Sequence, residues 1–201
     1  EFVMKNLVRL PVAIISLFLC LNTVYAAPSE WEIDRAHSGV YFDVRHTYAT
    51  VRGLFDDFSG RFIFDPQNIG VSECSIEVKV KSINTNIRKR DDHLRSGEFF
   101  AVKEYPVMTF KTEKIRQVDG KRFELEGKLT VKDVTKKVVI PLTYYGMKEN
   151  PLKPKQLVAG FEAKFTIDRL QYHVGPGKYY EMGVIGKDVD VTITLEVLRD
   201  K

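Results

Sequence analysis

The side chains in this sequence that could do chemistry are few and scattered. It has four histidines, His37, His46, His93 and His173, two cysteines, Cys20 and Cys74, and a tyrosine-rich run at residues 172–183, YHVGPGKYYEMG. The histidine spacings match no standard metal motif. His37 and His46 are nine positions apart, an odd number that puts them on opposite faces of an unbroken strand, so no metal site is expected. No G-x-S-x-G elbow, P-loop, G-x-G-x-x-G or H-E-x-x-H is present. Asp34, His37 and Ser38 have the residue types of a hydrolytic triad. Crowded into five residues, they read instead as a turn in which Asp and Ser bond nearby backbone. No catalytic residue is assigned.

Three features have more than one reading. His46 ends an alternating apolar row, Val40, Phe42 and Val44, so its ring falls at one end of whatever that row lines. It is either a hydrogen-bonding partner for a ligand's head group or a histidine satisfied by backbone near a turn. Arg88, Lys89, Arg90 and Arg95 form a basic cluster that Asp91 and Asp92 half offset, which fits an anion-binding rim or a solvated face. The tyrosines at 172–183, around Gly175-Pro176-Gly177, fit a cover over the end of a barrel or an ordinary hairpin with its rings outside.

These residues need a scaffold, and the composition bounds it. The chain has 201 residues, 44% hydrophobic and 29% charged, which suits one soluble globular domain with a proper core. Lys5 and Arg9 precede an apolar run at 12–21 that is too short to span a bilayer, and Val24-Tyr25-Ala26 follows. Residues 1–26 therefore read as a cleavable secretory signal, and residues 27–201 as the mature domain. The bulky Leu19 argues against lipid attachment at Cys20. With Cys20 removed, Cys74 has no intramolecular partner, and its place just before Ile76, Val78 and Val80 suits burial. The formal charge of +4, lowered by one on cleavage, is too small to argue for nucleic acid.

The elements are strands. After a polar break at 35–38, Val40, Phe42, Val44 and His46 face one way, and Tyr41, Asp43 and Arg45 the other. Residues 50–64 carry Gly53 and Gly60 and suit a bent strand, so their inward-facing set stays open. Ile76 and Val78, Met108 and Phe110, and the rows 123–131, 138–144, 161–167 and 189–197 repeat the alternation. Asp119-Gly120 supplies a hairpin. Residues 88–96 break the pattern and suit a short helix, the one helical interruption expected, with Phe99 and Phe100 beyond it placed to plug a barrel end or touch a ligand. Some eight strands, each about 34 Å long at ten residues, favour an antiparallel sheet closed into a barrel over a two-sheet sandwich. Gly127 and Ala163 on the inner face suggest space inside.

Trp31 to His46 reads W-x-I-D-x-x-H-S-x-x-x-F-x-V-x-H, which resembles the opening signature of the YceI-like domain. Ser82-Ile83-Asn84-Thr85, Asp92-His93-Leu94, Glu98-Phe99-Phe100, Tyr105-Pro106, Gly127-Lys128-Leu129-Thr130-Val131 and Asp168-Arg169 resemble later landmarks of that family in order, so the likeness covers residues 29–199. After Arg169 the family's Phe-Gly pattern is only approximated by Tyr172 and Gly175. The resemblance implies a periplasmic, lipocalin-like closed antiparallel barrel that sequesters a long isoprenoid lipid or quinone-like molecule, often as a homodimer. The lipocalin G-x-W signature is not evident, so that likeness is architectural. Together these readings predict a binding protein, with Phe42, Val44, His46, Ile76, Val78, Phe110, Phe165 and Ile167 as ligand contacts in the lumen. No cofactor is required and no membrane span is expected. The alternatives are an enzyme acting on a prenyl lipid, or a filled barrel serving as a protein-interaction module.

Overall fold

Alternating apolar and polar residues become strands wherever one face can be buried, and here almost every such row does. The computed structural model describes residues 30–201; the expected signal segment, with Cys20 and the cut after Ala26, lies outside the described residues. The strands are β1 (Glu30–Ile33), β2 (Gly39–His46), β3 (Ala49–Phe55), β4 (Phe58–Ile63), β5 (Glu73–Lys79), β6 (Ile83–Asn84), β7 (Val107–Gln117), β8 (Arg122–Val131), β9 (Val134–Glu149), β10 (Gln156–Asp168) and β11 (Ile185–Asp200). They are hydrogen-bonded in the order β1-β4-β5-β7-β8-β9-β10-β11-β2-β3-β6, with β11 also paired to β1. β1 and β2 both pair with β11, and the order outward from them runs β4-β5 on one side and β3-β6 on the other, so β1 with β2, β3 with β4, and β5 with β6 are halves of three long staves. The result is an up-and-down barrel of eight antiparallel staves, closed where β11 meets β2 at Ile193↔Val40 and β1 at Glu32↔Leu198. Closure leaves no exposed sheet edge along that joint.

The break between β1 and β2 is a turn, as expected, but only part of it bonds locally. The Asp34 carboxylate accepts the Ala36 N–H at 3.0 Å and meets His37 Nδ1 at 2.8 Å. Ser38 instead reaches across to β11, its hydroxyl accepting the Glu196 N–H at 3.0 Å and donating to the Glu196 carbonyl at 3.2 Å. Gly127 does not leave space in the lumen. A Cβ there would lie 2.3 Å from the Lys111 carbonyl oxygen, beside the bulge in β7 between Thr112 and Lys114. Its glycine is needed for close backbone approach.

α1 (Arg88–Arg95) occupies the expected helical interval. It is not the only helical interruption. Between β10 and β11 the chain makes a 3-10 turn at Arg169–Tyr172 and a second helix, α2 (Lys178–Glu181). A single turn of four residues is too short for apolar periodicity to reveal.

The barrel has two unlike ends. At the end bearing loops 64–72, 118–121 and 150–155, called lower here, the lumen is filled. Phe161 packs against Phe62, Phe64 and Tyr144 with ring centroids 4.8, 4.9 and 5.1 Å away, and Phe64 meets Phe123 at 5.1 Å. Trp31 joins them, its indole N–H donating to the Phe64 carbonyl at 3.1 Å. Cys74 is buried, as expected, and burial pushes its thiol up to about 12, so it is packing rather than a reactive group. The upper end carries turns 47–48 and 132–133, the segment with α1, and the loop with α2. No helix among the described residues is long and apolar enough to cross a membrane.

Candidate ligand cavity

Above the aromatic packing the lumen opens into a cavity of about 310 Å³. The period of two decides its walls. Phe42, Val44 and His46 come from β2, Ile76 and Val78 from β5, Phe110 from β7, and Phe165 and Ile167 from β10, so all eight predicted residues lie around one space. On the opposite face of β2, Asp43 pairs with Arg52 of β3 at 2.8 Å, which holds its carboxyl below the usual range. In residues 50–64 the inward set changes parity at the β3–β4 break. Val51 and Phe55 line the cavity, while Phe58, Phe62 and Phe64 belong to the buried core.

Several wall residues were not predicted as contacts. Val189, Val191 and Ile193 of β11 and Leu129 and Val131 of β8 stand in inward rows that the alternation had already marked. Leu94, Tyr172 and Val174 lie outside any strand pattern and had no such signal. Phe99 and Phe100 both line the cavity from the barrel end where they were expected. Phe100 meets Phe55 edge-on at 6.0 Å, and Phe99 packs with Val131, Tyr172 and Val174 as a cap over the upper end. So residues 172–183 are a cover rather than a plain hairpin, with Tyr172 and Val174 buried under it and Tyr180 left outside. Gly175 fits this cover because it sits at φ +71°, and a Cβ there would be 2.6 Å from the Phe99 ring.

The pairing of β10 with β9 ends at Ala163↔Leu142, beside Pro141, which has no N–H to extend a ladder. Above that point the two strands part. Ile140 on one side and Phe165 and Ile167 on the other all line the cavity.

The imidazole and guanidinium groups of the wall gather at the upper end, while Tyr41 and Thr109 border the cavity lower down, beside Val40 and Phe110. His46, Arg90, His93 and Arg169 are among the lining residues, and no Asp or Glu is. Arg169 is only 4% exposed. Its guanidinium donates to the carbonyls of Gly186 and Val174 at 2.8 Å each and of Ile185 at 3.3 Å, and burial draws its pKa down. It makes no ion pair among the described residues, so a cation is stapled into the cover by backbone alone. Arg90 donates to the Thr85 hydroxyl at 2.7 Å and carbonyl at 2.8 Å. Arg88 and Arg95 are engaged with Asp92 and with the chain that precedes the helix. Arg95 pairs with Asp92 at 3.0 Å and donates to the carbonyls of Lys81 and Ile83, and Arg88 approaches Asp92 at 3.9 Å.

Glu98 ties the two sides of the cover together. It meets His93 Nε2 at 2.6 Å, accepts from the Tyr179 hydroxyl at 3.0 Å and lies 3.5 Å from Lys178, and these partners, His93 first, hold its carboxyl below its usual range. His46 makes no side-chain hydrogen bond among the described residues, so no backbone group satisfies it; the residue is exposed at the upper end of the cavity that it helps to line. Among the described residues one group brings three potential metal ligands together, Asp34, His37 and Glu196, and none of them lines the cavity. An open upper half is also at odds with a wholly filled barrel.

Residues 31–197 match the model of the YceI-like domain. The chain is 31% identical to Protein YceI of Salmonella newport over 186 residues, which cover 91% of this chain and 94% of that one. Its fold is similar to that of Burkholderia cenocepacia BcnA, with a TM-score of 0.74 at 24% identity over 82% of this chain and 99% of that one. It is also similar to a domain from Saccharophagus degradans, described as polyisoprenoid binding and implicated in plant cell wall breakdown, with a TM-score of 0.60 at 17% identity over 83% and 97% of the two chains. The eight-stave barrel, the ordered landmarks and the match over nearly the whole described chain agree: this protein belongs to the YceI-like domain family.

Proposed function

We propose that this protein is an exported, periplasmic carrier that holds an isoprenoid lipid or quinone-like molecule in the upper half of its barrel. The observation that carries this reading is the distribution of chemistry in the cavity: apolar walls on every stave, with the imidazole and guanidinium groups confined to one end. An amphiphile placed tail-down has its hydrocarbon against Ile76, Val78, Phe110, Phe165 and Ile167. Its head then lies near His46, which has a free ring to offer. Burying hydrocarbon contributes about 0.8 kcal/mol per methylene, so affinity needs no catalytic group. The description of the Saccharophagus degradans domain as polyisoprenoid binding supports the same ligand class.

The test is native mass spectrometry and organic extraction of protein purified from periplasm without detergent. A co-purified isoprenoid or similar long-chain lipid is the expected result. Protein that is consistently empty and takes up neither added polyprenyl lipids nor quinones would overturn the proposal.

A further inference from the structure

Four residues belong to two cavities at once. Ile76, Phe110, Ile140 and Ile193 line the upper cavity and also a second space of about 30 Å³ beneath it, which Phe62, Phe161 and Ala163 help to enclose. They come from β5, β7, β9 and β11, and Ile76 and Phe110 stand directly opposite each other in register. The four side chains therefore form a floor across the lumen. Below it the aromatic packing around Phe161 leaves only that small remnant. Above it the space has a definite capacity: an apolar cavity of about 150 Å³ accepts a benzene ring, so about 310 Å³ accepts roughly a dozen carbons. That is two to three five-carbon units.

We infer that this floor is a chain-length gauge, admitting the terminal two to three isoprene units of a ligand tail-first and stopping them at Phe110. The inference rests on the proposed lipid-binding function and gives it a size limit. Tail-first insertion follows from the walls, since the floor is wholly apolar whereas the upper end carries His46, Arg90, His93 and Arg169. Phe110 is the stop because it is the largest of the four and closes the way to the lower space. Carbons beyond the limit remain outside the lumen and add nothing, whether the ligand is a short prenyl lipid or the tail of a long one.

The experiment is a competition series of prenyl alcohols with two, three, four and eight units, read by native mass spectrometry. A buried methylene strengthens binding about fourfold, so the third unit should raise affinity at least tenfold over the second. In the wild type, the four- and eight-unit alcohols should then bind no more than about threefold tighter than the three-unit one, or more weakly, by the same arithmetic. Phe110→Ala joins the two spaces and should move the limit out by one unit. Ile193→Ala, at a partly buried position, asks the same question if the loss of the phenyl ring prevents folding. Affinity that keeps climbing through eight units in the wild type, or a limit unmoved in folded variants, overturns the gauge. If no alcohol of any length binds, it is the lipid-binding function itself that fails.

Discussion

Replacing Val44 by tryptophan should close the cavity from inside. Val44 lines it from β2, between Val51 of β3 and Val189 of β11 in register. Tryptophan adds seven side-chain heavy atoms, and six atoms of a benzene ring take up a cavity of about 150 Å³, so the indole occupies roughly half of the space. Half of a dozen carbons displaced, at about 0.8 kcal/mol each, amounts to about 5 kcal/mol of gross binding energy. Even if relaxation recovers half of that, affinity falls by about sixtyfold. Stability should change much less, because overpacking costs about 1 to 3 kcal/mol even in a filled core and a domain has about 5 to 15 kcal/mol in hand.

The control is the next residue along. Asp43→Trp faces out, loses the pair with Arg52, and should cost no more than about 1 kcal/mol while leaving binding intact. Thermal unfolding and prenol binding on both variants check this. If Val44→Trp binds as tightly as wild type while Asp43→Trp does not, inside and outside are reversed; if neither matters, the lumen is not where the ligand sits.

Arg169→Met leaves the carbonyls of Val174, Ile185 and Gly186 without their donor, so it should destabilise the protein by about 3 kcal/mol or more and speed amide exchange across residues 172–186 ahead of the barrel strands. Unchanged exchange in that loop would show that the staple is dispensable. Asp119 accepts the Lys121 N–H, the Arg122 side chain and the Arg122 N–H, which lower its pKa from 3.8 to about 2. A depressed carboxylate stabilises the fold fully above its unfolded value and loses that contribution as pH falls through the folded one. An NMR titration of Asp119 should therefore show the 118–121 hairpin keeping this contribution at pH 4, and a midpoint near 4 would contradict it.

The strands were legible because alternation is a backbone property: side chains at even spacing share a face whatever else the chain does. That is why Phe42, Val44, Ile76, Val78, Phe165 and Ile167 could be placed in one lumen without a structure. It failed where parity changes or strand ends. Phe55 and Phe58 are three apart yet both buried, because the stave breaks between them at Asp56-Asp57. Gly127 stands in a perfect inward row, but its lost side chain answers a backbone bulge that no hydropathy pattern records. The cover was illegible for a different reason. Tyr172, Val174, Leu94 and Phe99 reach the cavity through long-range packing between segments some eighty residues apart, and Arg169 holds one of those segments through carbonyls that carry no side-chain signature.

Nor does alternation reveal that only half of the lumen is open, since both halves are equally apolar. What differs is size. Above the floor the inward positions of β2, β3, β5 and β11 carry the valines Val44, Val51, Val78, Val189 and Val191 beside Phe42, whereas below it stand Trp31, Phe62, Phe64, Phe123, Tyr144 and Phe161. Short β-branched side chains satisfy strand geometry without meeting across a barrel of this diameter, and rings do meet. One end of the barrel can then supply the packing that holds the fold, while the other keeps walls that no neighbouring side chain fills. The division has a consequence for evolution of the site: Val44, Val51, Val189 and Val191, which lie outside the buried core, can change size to suit another ligand at little cost in stability, whereas the buried rings Trp31, Phe62, Phe64, Phe123 and Phe161 cannot, because truncating one to alanine costs about 3 to 5 kcal/mol.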